Sequence, residues 1–347
     1  MSALRVLVVG LGNMGMSHAL AYTRIDGFEV AGVCTRHIES VNLPEALTGA
    51  ARYNDFETAL AELKPDVVSI NTLPDTHAPY AIKAMEAGAH VFVEKPMALT
   101  TEDAERVVET AKRTGKKLVI GYILRQHPSW TKFIEIAREL GTPLVFRMNL
   151  NQQSNGETWS WHKRLMDSFP PIVDCGVHYV DVMCQMTDAK PVKVHAIGAR
   201  LTDEVAKQNY GMLQVQFDDG SVGWYEAGWG PMVSETAFFV KDVFGPKGSV
   251  SIVMAENASG VKSDDINAHT KTNQILRHYA DMSRPDERID MTDEPDHDDL
   301  CEREQRYLLK AIKEDLDLTA HMNDGVNSLR IVLAADESIH TGEVVRL

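Results

Sequence analysis

Short, continuously apolar runs alternate with helical patterns through about the first third of the chain. Continuous apolar runs are typical of strands buried on both faces of a parallel sheet, and the segments between them repeat apolar residues at helical spacing. Because parallel strands need helical crossovers, and these are right-handed, the pattern predicts a doubly wound α/β sheet. The predicted strands are Leu4–Val9, Phe28–Cys34, Asp66–Leu73, His90–Glu94 and Lys117–Tyr122, and the predicted helices include Met14–Arg24, Thr76–Ala87 and Thr100–Thr114.

From about Pro143 the pattern changes to short strands separated by turn signals such as Asp218-Asp219-Gly220. Short connections favour antiparallel neighbours, so we predict a C-terminal α/β domain with an open, mainly antiparallel sheet. Its strands are predicted at Leu144–Leu150, Val192–Leu201, Gly211–Phe217, Ser221–Ala227, Ala237–Phe244 and Ser249–Val253. Helices are predicted at Ile172–Met186, Arg303–Glu314 and Gly325–Thr341, and loops over Asn257–Asp299.

The change of pattern divides the chain into two predicted domains, at 1–122 and 123–347. The helix over 325–341 is a candidate to pack back on the first domain. A length of 347 residues fits two domains of common size better than one core. Hydrophobic residues make up 44% of the chain and charged residues 24%, a balance that indicates globular rather than disordered structure.

The formal charge of −15 disfavours nucleic acid and acidic membranes as partners, because their phosphates would be repelled. No run approaches the ~20 apolar residues that span a bilayer, and the N-terminal residues lack a signal-peptide pattern. The four cysteines are widely spaced, without histidines at ligand spacing, so we expect reduced thiols, a cytoplasmic location and no metal site. His269, His278 and His297 are scattered along an acidic stretch and are interpreted as surface residues.

The hexapeptide Gly10-Leu11-Gly12-Asn13-Met14-Gly15 follows the first strand and opens the first helix, the context that gives a GxGxxG string its meaning. The first glycine permits a tight turn, the second lets backbone approach a pyrophosphate, and the third lets the helix pack against the strand. The helix N-terminus offers free N–H groups and a partial positive charge to phosphates. We therefore predict a Rossmann domain that binds a dinucleotide through Gly10, Gly12, Asn13, Met14 and Gly15. The alternative is a glycine-rich turn without a ligand.

The residues that end the second strand indicate which dinucleotide is bound. An NAD site usually has a carboxylate about 20 positions after the glycines, where it binds the ribose 2′-hydroxyl. Here the strand ends in Thr35-Arg36-His37, which can hold a 2′-phosphate through charge-assisted hydrogen bonds. We expect NADP(H) in preference to NAD(H). The alternative is that Arg36 stacks on the adenine or faces solvent, and that both cofactors bind.

Glu94-Lys95-Pro96 lies at the carboxyl end of a predicted parallel strand, the edge where open α/β sheets bind their ligands. From that edge the Lys95 ammonium can reach a substrate oxygen and stabilise the negative charge that develops on it. Pro96 fixes the direction in which the chain leaves the strand, with a cis peptide bond as an option. The alternative for Lys95 is a solvated surface charge.

Asp174, His178 and Asp181 are spaced i, i+4 and i+7, so they share one face of a predicted helix. A carboxylate beside a histidine stabilises the imidazolium, which makes Asp174 and His178 a candidate acid–base pair. Gly176 costs a helix about 1 kcal/mol relative to Ala, which indicates close approach of a cofactor or substrate. The alternative is a capping Asp with a core histidine.

These segments together resemble the Gfo/Idh/MocA family of dehydrogenases, named after glucose–fructose oxidoreductase, inositol dehydrogenase and a rhizopine-catabolism protein. The resemblance covers nearly the whole length. It implies a Rossmann domain, a second α/β domain with an open sheet, and homodimers or homotetramers joined through those sheets. It rests on the glycine hexapeptide, Leu73-Pro74-Asp75-Thr76-His77, Glu94-Lys95-Pro96, Gly121-Tyr122 with Arg125, residues 174–181, and Glu337-Ser338 with Gly342.

The resemblance also implies roles for single residues. Lys95 would orient the reacting hydroxyl of a sugar, cyclitol or related polyol or keto substrate. His178, paired with Asp174, would exchange the hydroxyl proton while the nicotinamide exchanges a hydride. The cofactor side of the site would include Leu73, Pro74, His77, Glu94 and Lys95. Thr35-Arg36 departs from the acidic ending of NAD-preferring members.

The segment Gly156–Lys163 matches no substrate pattern of the family and is predicted as a loop that faces the cleft. Its Trp159, Trp161 and His162, together with Arg125, are candidates for binding a polyol through aromatic faces and polar groups. Ordinary packing tryptophans are the alternative.

Two other functions are compatible with the sequence. Some relatives hold NAD tightly, oxidise a sugar transiently, eliminate its glycosidic bond and reduce the product again, and no sequence feature excludes such a redox-neutral route. A dinucleotide-binding regulator without turnover is the other alternative, although Lys95 and His178 are both present.

Overall fold

The structure is a computed structural model that describes residues 2–235, 239–253, 262–265, 270 and 272–347. The chain divides into two compact units. The first unit comprises Met1–Ile123 with Pro295–Val326, and the second comprises Leu124–Glu294 with Asn327–Leu347. Residues 295–326 therefore return to the first unit. The predicted division at 1–122 and 123–347 places them in the second domain instead.

The first unit is built on a six-stranded sheet in the order β3-β2-β1-β4-β5-β6, and all of its strand pairs are parallel. Every residue of β4 and β6 is buried, as expected for strands covered on both faces. Because the strand order reverses between β1 and β4, a crevice opens at their carboxyl ends. The strands are β1 (Leu4–Val9), β2 (Phe28–Cys34), β3 (Ala51–Tyr53), β4 (Val67–Ile70), β5 (His90–Val93) and β6 (Leu118–Ile120).

Four helices of the first unit accompany these strands: α1 (Asn13–Thr23), α2 (Phe56–Leu63), α3 (Pro74–Glu86) and α4 (Thr101–Thr114). The side chain of Thr100 caps α4 by accepting a hydrogen bond from the Asp103 N–H at 3.1 Å. The predicted parallel α/β sheet is confirmed. The short strand β3 has too few apolar residues to be predicted from pattern.

The second unit contains a mixed sheet in the order β14-β13-β12-β11-β7-β10-β9-β8-β15. Among the strands of this sheet that the structure describes, only β7 and β10 pair in parallel, which confirms the mainly antiparallel sheet. The strands are β7 (Val145–Gln152), β8 (Pro191–Ala199), β9 (Tyr210–Phe217), β10 (Val222–Trp229), β11 (Lys241–Gly245), β12 (Gly248–Val253), β13 (Gln274–Tyr279) and β14 (Glu287–Asp290). The helices are α5 (Pro128–Glu139), α6 (Gly156–Ser168), α7 (Pro171–Asp174) and α8 (Gly176–Met186), and the chain ends with α9 (His297–Lys313), α10 (Thr319–Thr341) and β15 (Val345–Arg346).

Three predictions for this part of the chain are wrong. Residues 156–163 begin the helix α6 rather than forming a loop, because Trp159, His162 and Met166 bury one helical face. The strands β13 and β14 lie where only loops were expected, since they are held by backbone pairing at a sheet edge and carry little apolar signal. The predicted helix over 172–186 is interrupted at Cys175, between α7 and α8. Part of the strand predicted at 237–244 lies outside the described residues.

The helix α9 returns the chain to the first unit, where it packs against α1 and β5. Its buried face includes Leu300, Leu308 and Ala311, and Asp296 caps its N-terminus in a capping box with Asp299. Of the predicted helix over 325–341, only the residues up to Val326 belong to the first unit.

Among the described residues, no helix has the length and apolar content that a bilayer crossing requires. The cytoplasmic location and the absence of nucleic-acid partners stay predictions.

Candidate active site

The glycine hexapeptide forms the turn between β1 and α1, at the crevice of the parallel sheet. Gly10 has a φ of +85°, and a Cβ there would lie 2.5 Å from the Asn71 carbonyl oxygen. A Cβ on Gly15 would lie 1.9 Å from the Gly10 carbonyl oxygen. Both positions therefore require glycine. At Gly15 the reason is the backbone of the turn at Gly10, and not the packing of the helix against the strand.

Gly12 behaves differently, because a Cβ there would meet no atom within 4 Å. This residue is the N-cap of α1, and no side chain caps the helix there. Asn13 and Met14, which follow it, begin the helix. No side chain accepts from the first N–H groups of α1, so together with the positive end of the helix dipole they fit a pyrophosphate.

Thr35, Arg36 and His37 follow β2 directly, and the last two are exposed. Arg36 forms no ion pair with any described residue. The nearby carboxylate of Asp55 is engaged elsewhere, because its Oδ1 accepts hydrogen bonds from the Thr58 N–H at 2.8 Å and the Thr58 hydroxyl at 2.7 Å, capping α2. Arg36 is thus an exposed guanidinium shortly after β2, and Asp55, which follows β3, caps α2.

The loop after β4 is tied to the loop after β5 by a buried histidine. His77 places Nδ1 2.8 Å from the Pro96 carbonyl oxygen and Nε2 3.0 Å from the Thr72 carbonyl oxygen. Burial lowers the pKa of His77, although both carbonyls favour its protonated form. Leu73, half exposed, and Pro74 begin α3 beside this connection. His77 thus sets the shape of the loop rather than offering a ring nitrogen to a ligand.

Glu94 and Lys95 directly follow β5, and their surroundings differ. The Lys95–Pro96 peptide bond is cis, as the sequence allowed. Lys95 is partly exposed, whereas Glu94 is buried and accepts hydrogen bonds from His18 Nε2 at 2.8 Å and from the Lys95 N–H at 3.1 Å. Burial would raise the pKa of Glu94, but the hydrogen bond from His18 and the charges of His18 and Lys95 hold it below its usual range.

A buried polar chain, missed by sequence reasoning, continues from Glu94 into α9. The Gln305 amide lies 3.0 Å from His18 Nδ1, and the Tyr22 hydroxyl donates to Gln305 Oε1 at 2.5 Å. Glu94 also explains Gly121, because a Cβ on that residue would lie 3.2 Å from the carboxyl group. Each of these partners is distant in sequence, so spacing alone carried no signal for them.

In the second unit, Asp174 ends α7 and His178 lies in the first turn of α8. Asp174 is buried, whereas His178 is partly exposed. Gly176 between them faces the protein core, because a Cβ there would lie 3.2 Å from both the Tyr225 ring and Val332. The inference that Gly176 admits a cofactor or substrate is therefore wrong; the glycine lets α8 approach β10.

Asp181, the third polar residue of this segment, is sequestered. Its two carboxylate oxygens accept hydrogen bonds from Arg125 Nε at 2.8 Å and Nη2 at 2.6 Å, and its side chain is 1% exposed. Gln185 donates to the same carboxylate at 2.9 Å. This bidentate pair commits both the carboxylate and the guanidinium, so the polar face of the segment reduces to Asp174 and His178.

The aromatic residues of α6 divide between its two faces. Trp159 is buried and its indole donates to Glu204 at 3.3 Å, while His162 stacks on Trp229 with ring centroids 4.2 Å apart. Trp161 is 42% exposed, with the Arg164 guanidinium 5.2 Å from its ring centroid. Among these residues only Trp161 presents a large aromatic surface outward.

Comparison with known proteins finds one family over both units. The profile GFO_IDH_MocA, described as an oxidoreductase family with an NAD-binding Rossmann fold, matches residues 4–122. The profile of the family's C-terminal alpha/beta domain matches residues 135–347.

Three relatives illustrate the range of activities. UDP-N-acetylglucosamine 3-dehydrogenase of Acidithiobacillus ferrooxidans is 32% identical over 202 residues, 58% of this chain and 60% of that protein. Its solved structure superposes with a TM-score of 0.77 at 23% identity and covers 98% of each chain. Inositol 2-dehydrogenase of Salmonella typhimurium is 30% identical over 201 residues, 55% of this chain and 57% of the other. A glycosyl hydrolase family 109 protein of Shewanella baltica is 35% identical over 130 residues, 35% of this chain and 28% of that protein. In sequence, each match thus spans less than two thirds of the relative.

Proposed function

The chain belongs to the Gfo/Idh/MocA oxidoreductase family, and we propose that it is an NAD(P)-dependent enzyme that moves a hydride to or from a sugar, cyclitol or related polyol or keto substrate. One observation carries the proposal: the N-terminus of α1, with Gly12 as its N-cap and no capping side chain, lies where the strand order reverses, in the same sheet whose strand β5 is followed by Glu94 and Lys95. The names of two relatives, which act on UDP-N-acetylglucosamine and inositol, support a substrate of this class.

The residues of the first unit fit a dinucleotide. The N–H groups at the start of α1 would hold the pyrophosphate, and Thr35 with Arg36 would hold the adenosine ribose. When bound, the nicotinamide supplies the hydride acceptor or donor. Because the exposed Arg36 faces no carboxylate partner, we propose that NADP(H) is preferred to NAD(H).

Three side chains of this chain are proposed to handle the substrate oxygen. The Lys95 ammonium orients the reacting oxygen and stabilises negative charge that develops on it. His178 accepts the hydroxyl proton during oxidation and returns it during reduction, and Asp174 stabilises the imidazolium that results. Trp161 offers its exposed ring to the C–H face of a polyol.

The direct test mixes the purified protein with NADPH or NADH and a panel of keto sugars and inosose-type ketones. We expect loss of the reduced-nicotinamide absorbance with a subset of the panel, and the reverse change with the oxidised cofactor and the matching alcohols. A protein that binds neither cofactor, or that binds one but changes no absorbance across the panel, would contradict net hydride transfer.

The likeness to a glycosyl hydrolase family 109 protein favours a second candidate, the redox-neutral cleavage of a glycoside. Such an enzyme holds its nicotinamide tightly and returns it to the starting oxidation state in every cycle. Release of a sugar from a glycoside without any net change in nicotinamide absorbance would support this candidate. Net reduction or oxidation of added cofactor would support the first.

Removing the guanidinium at position 36 tests the cofactor preference. We expect Arg36→Ala to weaken NADPH binding by about 10- to 100-fold and to leave NADH binding nearly unchanged, because charge-assisted hydrogen bonds to a phosphate contribute about 1.5–3 kcal/mol. Calorimetric titration measures both affinities. Arg24→Ala is the control, since Arg24 is an exposed arginine just after the far end of α1. Equal losses for both cofactors would show that Arg36 does not read the 2′-phosphate.

We also propose that the open face of the nine-stranded sheet joins a second copy of the chain. Alternation along the strands places Ile197, Val222 and Trp224 on the face opposite the buried core residues, and the first two are 55% and 41% exposed. Sedimentation analysis should show a dimer or tetramer that Ile197→Lys with Trp224→Glu converts to monomer. A wild-type protein that is monomeric at micromolar concentration would refute the proposal.

A further inference from the structure

Between them, the helices α1 and α9 bury a group of side chains of the types that bind metal ions. This group takes no part in the proposed hydride transfer. On α9, His297, Cys301 and Glu304 are spaced i, i+4 and i+7 and therefore share one face. His18 of α1 meets this face. All four side chains are buried, His297 included, so its interpretation as a surface residue is wrong.

The distances within this cluster are close to those of a coordination sphere. A ring nitrogen of His18, the Cys301 sulfur and a carboxylate oxygen of Glu304 lie within 4.8 Å of one another. The two ring nitrogens of His297 lie 3.8 and 3.9 Å from the same sulfur. Around tetrahedral zinc, with Zn–S near 2.3 Å and Zn–N near 2.1 Å, sulfur and nitrogen ligands are roughly 3.5 Å apart. Small side-chain rotations would bring the donor atoms of His18, Cys301 and Glu304 to that separation, and His297 lies beside the same sulfur.

Glu304 provides independent evidence for a missing partner. Its side chain is 2% exposed and its Oε1 has no hydrogen-bond partner among the described residues. A buried carboxyl oxygen without a hydrogen-bond partner is costly, because it has lost its contacts with water and gained none in return. A cation bound at this carboxyl would satisfy the oxygen and remove that cost.

We propose that His18, His297, Cys301 and Glu304 form a binding site for a divalent transition metal, with Zn²⁺ the best fit. The set combines a soft sulfur, two imidazoles and one carboxylate, which suits zinc and disfavours the hard cations Mg²⁺ and Ca²⁺. A thiolate and a carboxylate neutralise the ion's charge, so the complex carries no net charge into the dry interior.

The hydrogen bonds around His18 resemble those that orient histidine ligands in metal sites. His18 Nε2 lies 2.8 Å from the Glu94 carboxylate, and His18 Nδ1 lies 3.0 Å from the Gln305 amide of α9. Nδ1 is therefore the ring nitrogen next to α9, and the Gln305 amide would yield its place there to the ion. A carboxylate–histidine–metal chain is the arrangement that orients histidine ligands in known sites. Here it ends at the Glu94 carboxylate, which also accepts a hydrogen bond from the Lys95 backbone.

Metal content and cobalt spectroscopy test this site. The full-length protein, purified without a polyhistidine tag, is stripped with a chelator, reconstituted with Zn²⁺ or Co²⁺ and freed of excess ion. We expect about one bound ion per chain by mass spectrometry, a thiolate-to-cobalt charge-transfer band, and a higher melting temperature with zinc. Cys301→Ser should lose the band and bind zinc more than about tenfold more weakly.

Two further variants keep the outcome interpretable. Cys34→Ser removes another buried cysteine of the first unit and should leave metal binding unchanged. Glu304→Gln keeps the shape of the neutral carboxyl group, so it should fold as the wild type does and still lose zinc affinity. Metal well below one equivalent in the wild type, or the same cobalt band in Cys301→Ser, would overturn the proposal. A melting temperature that zinc raises equally in wild type and Glu304→Gln would also overturn it.

Discussion

Replacing Lys95 with Met is expected to lower kcat by about 10²- to 10³-fold while cofactor affinity stays within a few-fold of wild type. Methionine keeps the unbranched stem and removes the charge that stabilises the reacting oxygen. The backbone N–H of residue 95, which donates to Glu94, is unaffected, so the end of β5 should keep its conformation. Steady-state turnover under saturating conditions, together with titration of the cofactor, separates the two effects.

The matched control for this variant is Lys112→Met, since Lys112 is an exposed lysine in the last turn of α4. It should retain full turnover. Turnover of Lys95→Met close to that of the control would remove Lys95 from the mechanism and leave it as a surface charge. A loss caused by unfolding would instead appear as a lower melting temperature and weaker cofactor binding.

Replacing His178 with Asn is expected to lower kcat by about 10²- to 10⁴-fold, because the amide cannot exchange a proton with the substrate hydroxyl. The measured pH–rate profile should lose the limb that this histidine causes. His178→Gly should recover part of its activity with added imidazole, a response that a purely structural histidine would not give. Asp174→Asn should have a smaller effect, because it weakens the stabilisation of imidazolium without removing the base.

His278→Asn serves as the control, because His278 also pairs with a carboxylate, that of Asp286 at 2.7 Å, but at the surface. It should turn over at the wild-type rate. If Lys95 and His178 act in the same step, the double variant should lose much less than the product of the two single losses. Full multiplication of the losses, or no imidazole rescue, would indicate that His178 stabilises structure and does not transfer the proton.

The sequence by itself determined the class of the fold and predicted a place for the dinucleotide. Continuous apolar runs can be buried only between two helical layers, so the parallel sheet followed from composition along each strand. The glycine turn was equally local, because a short hexapeptide between a strand and a helix contains the whole signal. Lys95 could be placed from local sequence as well, because a residue that follows the carboxyl end of β5 lies at the carboxyl edge of the sheet.

The helix α6 also has a local signal in the sequence, which its polar composition masks. The segment from Gly156 is polar in composition, yet Trp159, His162 and Met166 recur at helical spacing and bury one side of α6. The strands β13 and β14 are the opposite case, because they have almost no local signal. Only Ile275 of β13 is fully buried, and β14 has no buried residue, so only pairing with neighbouring backbone makes them strands.

Tertiary structure alone decided which polar groups meet. Asp181 shares a predicted helical face with Asp174 and His178, but Arg125, 56 residues earlier, binds both of its oxygens. Glu94 looked like a cofactor contact, but it turns inward to His18. Spacing within one element follows from helical or strand geometry, whereas contacts between side chains hundreds of residues apart depend on how helices pack. The cluster of His18 with Cys301 therefore became visible only when α9 packed on α1.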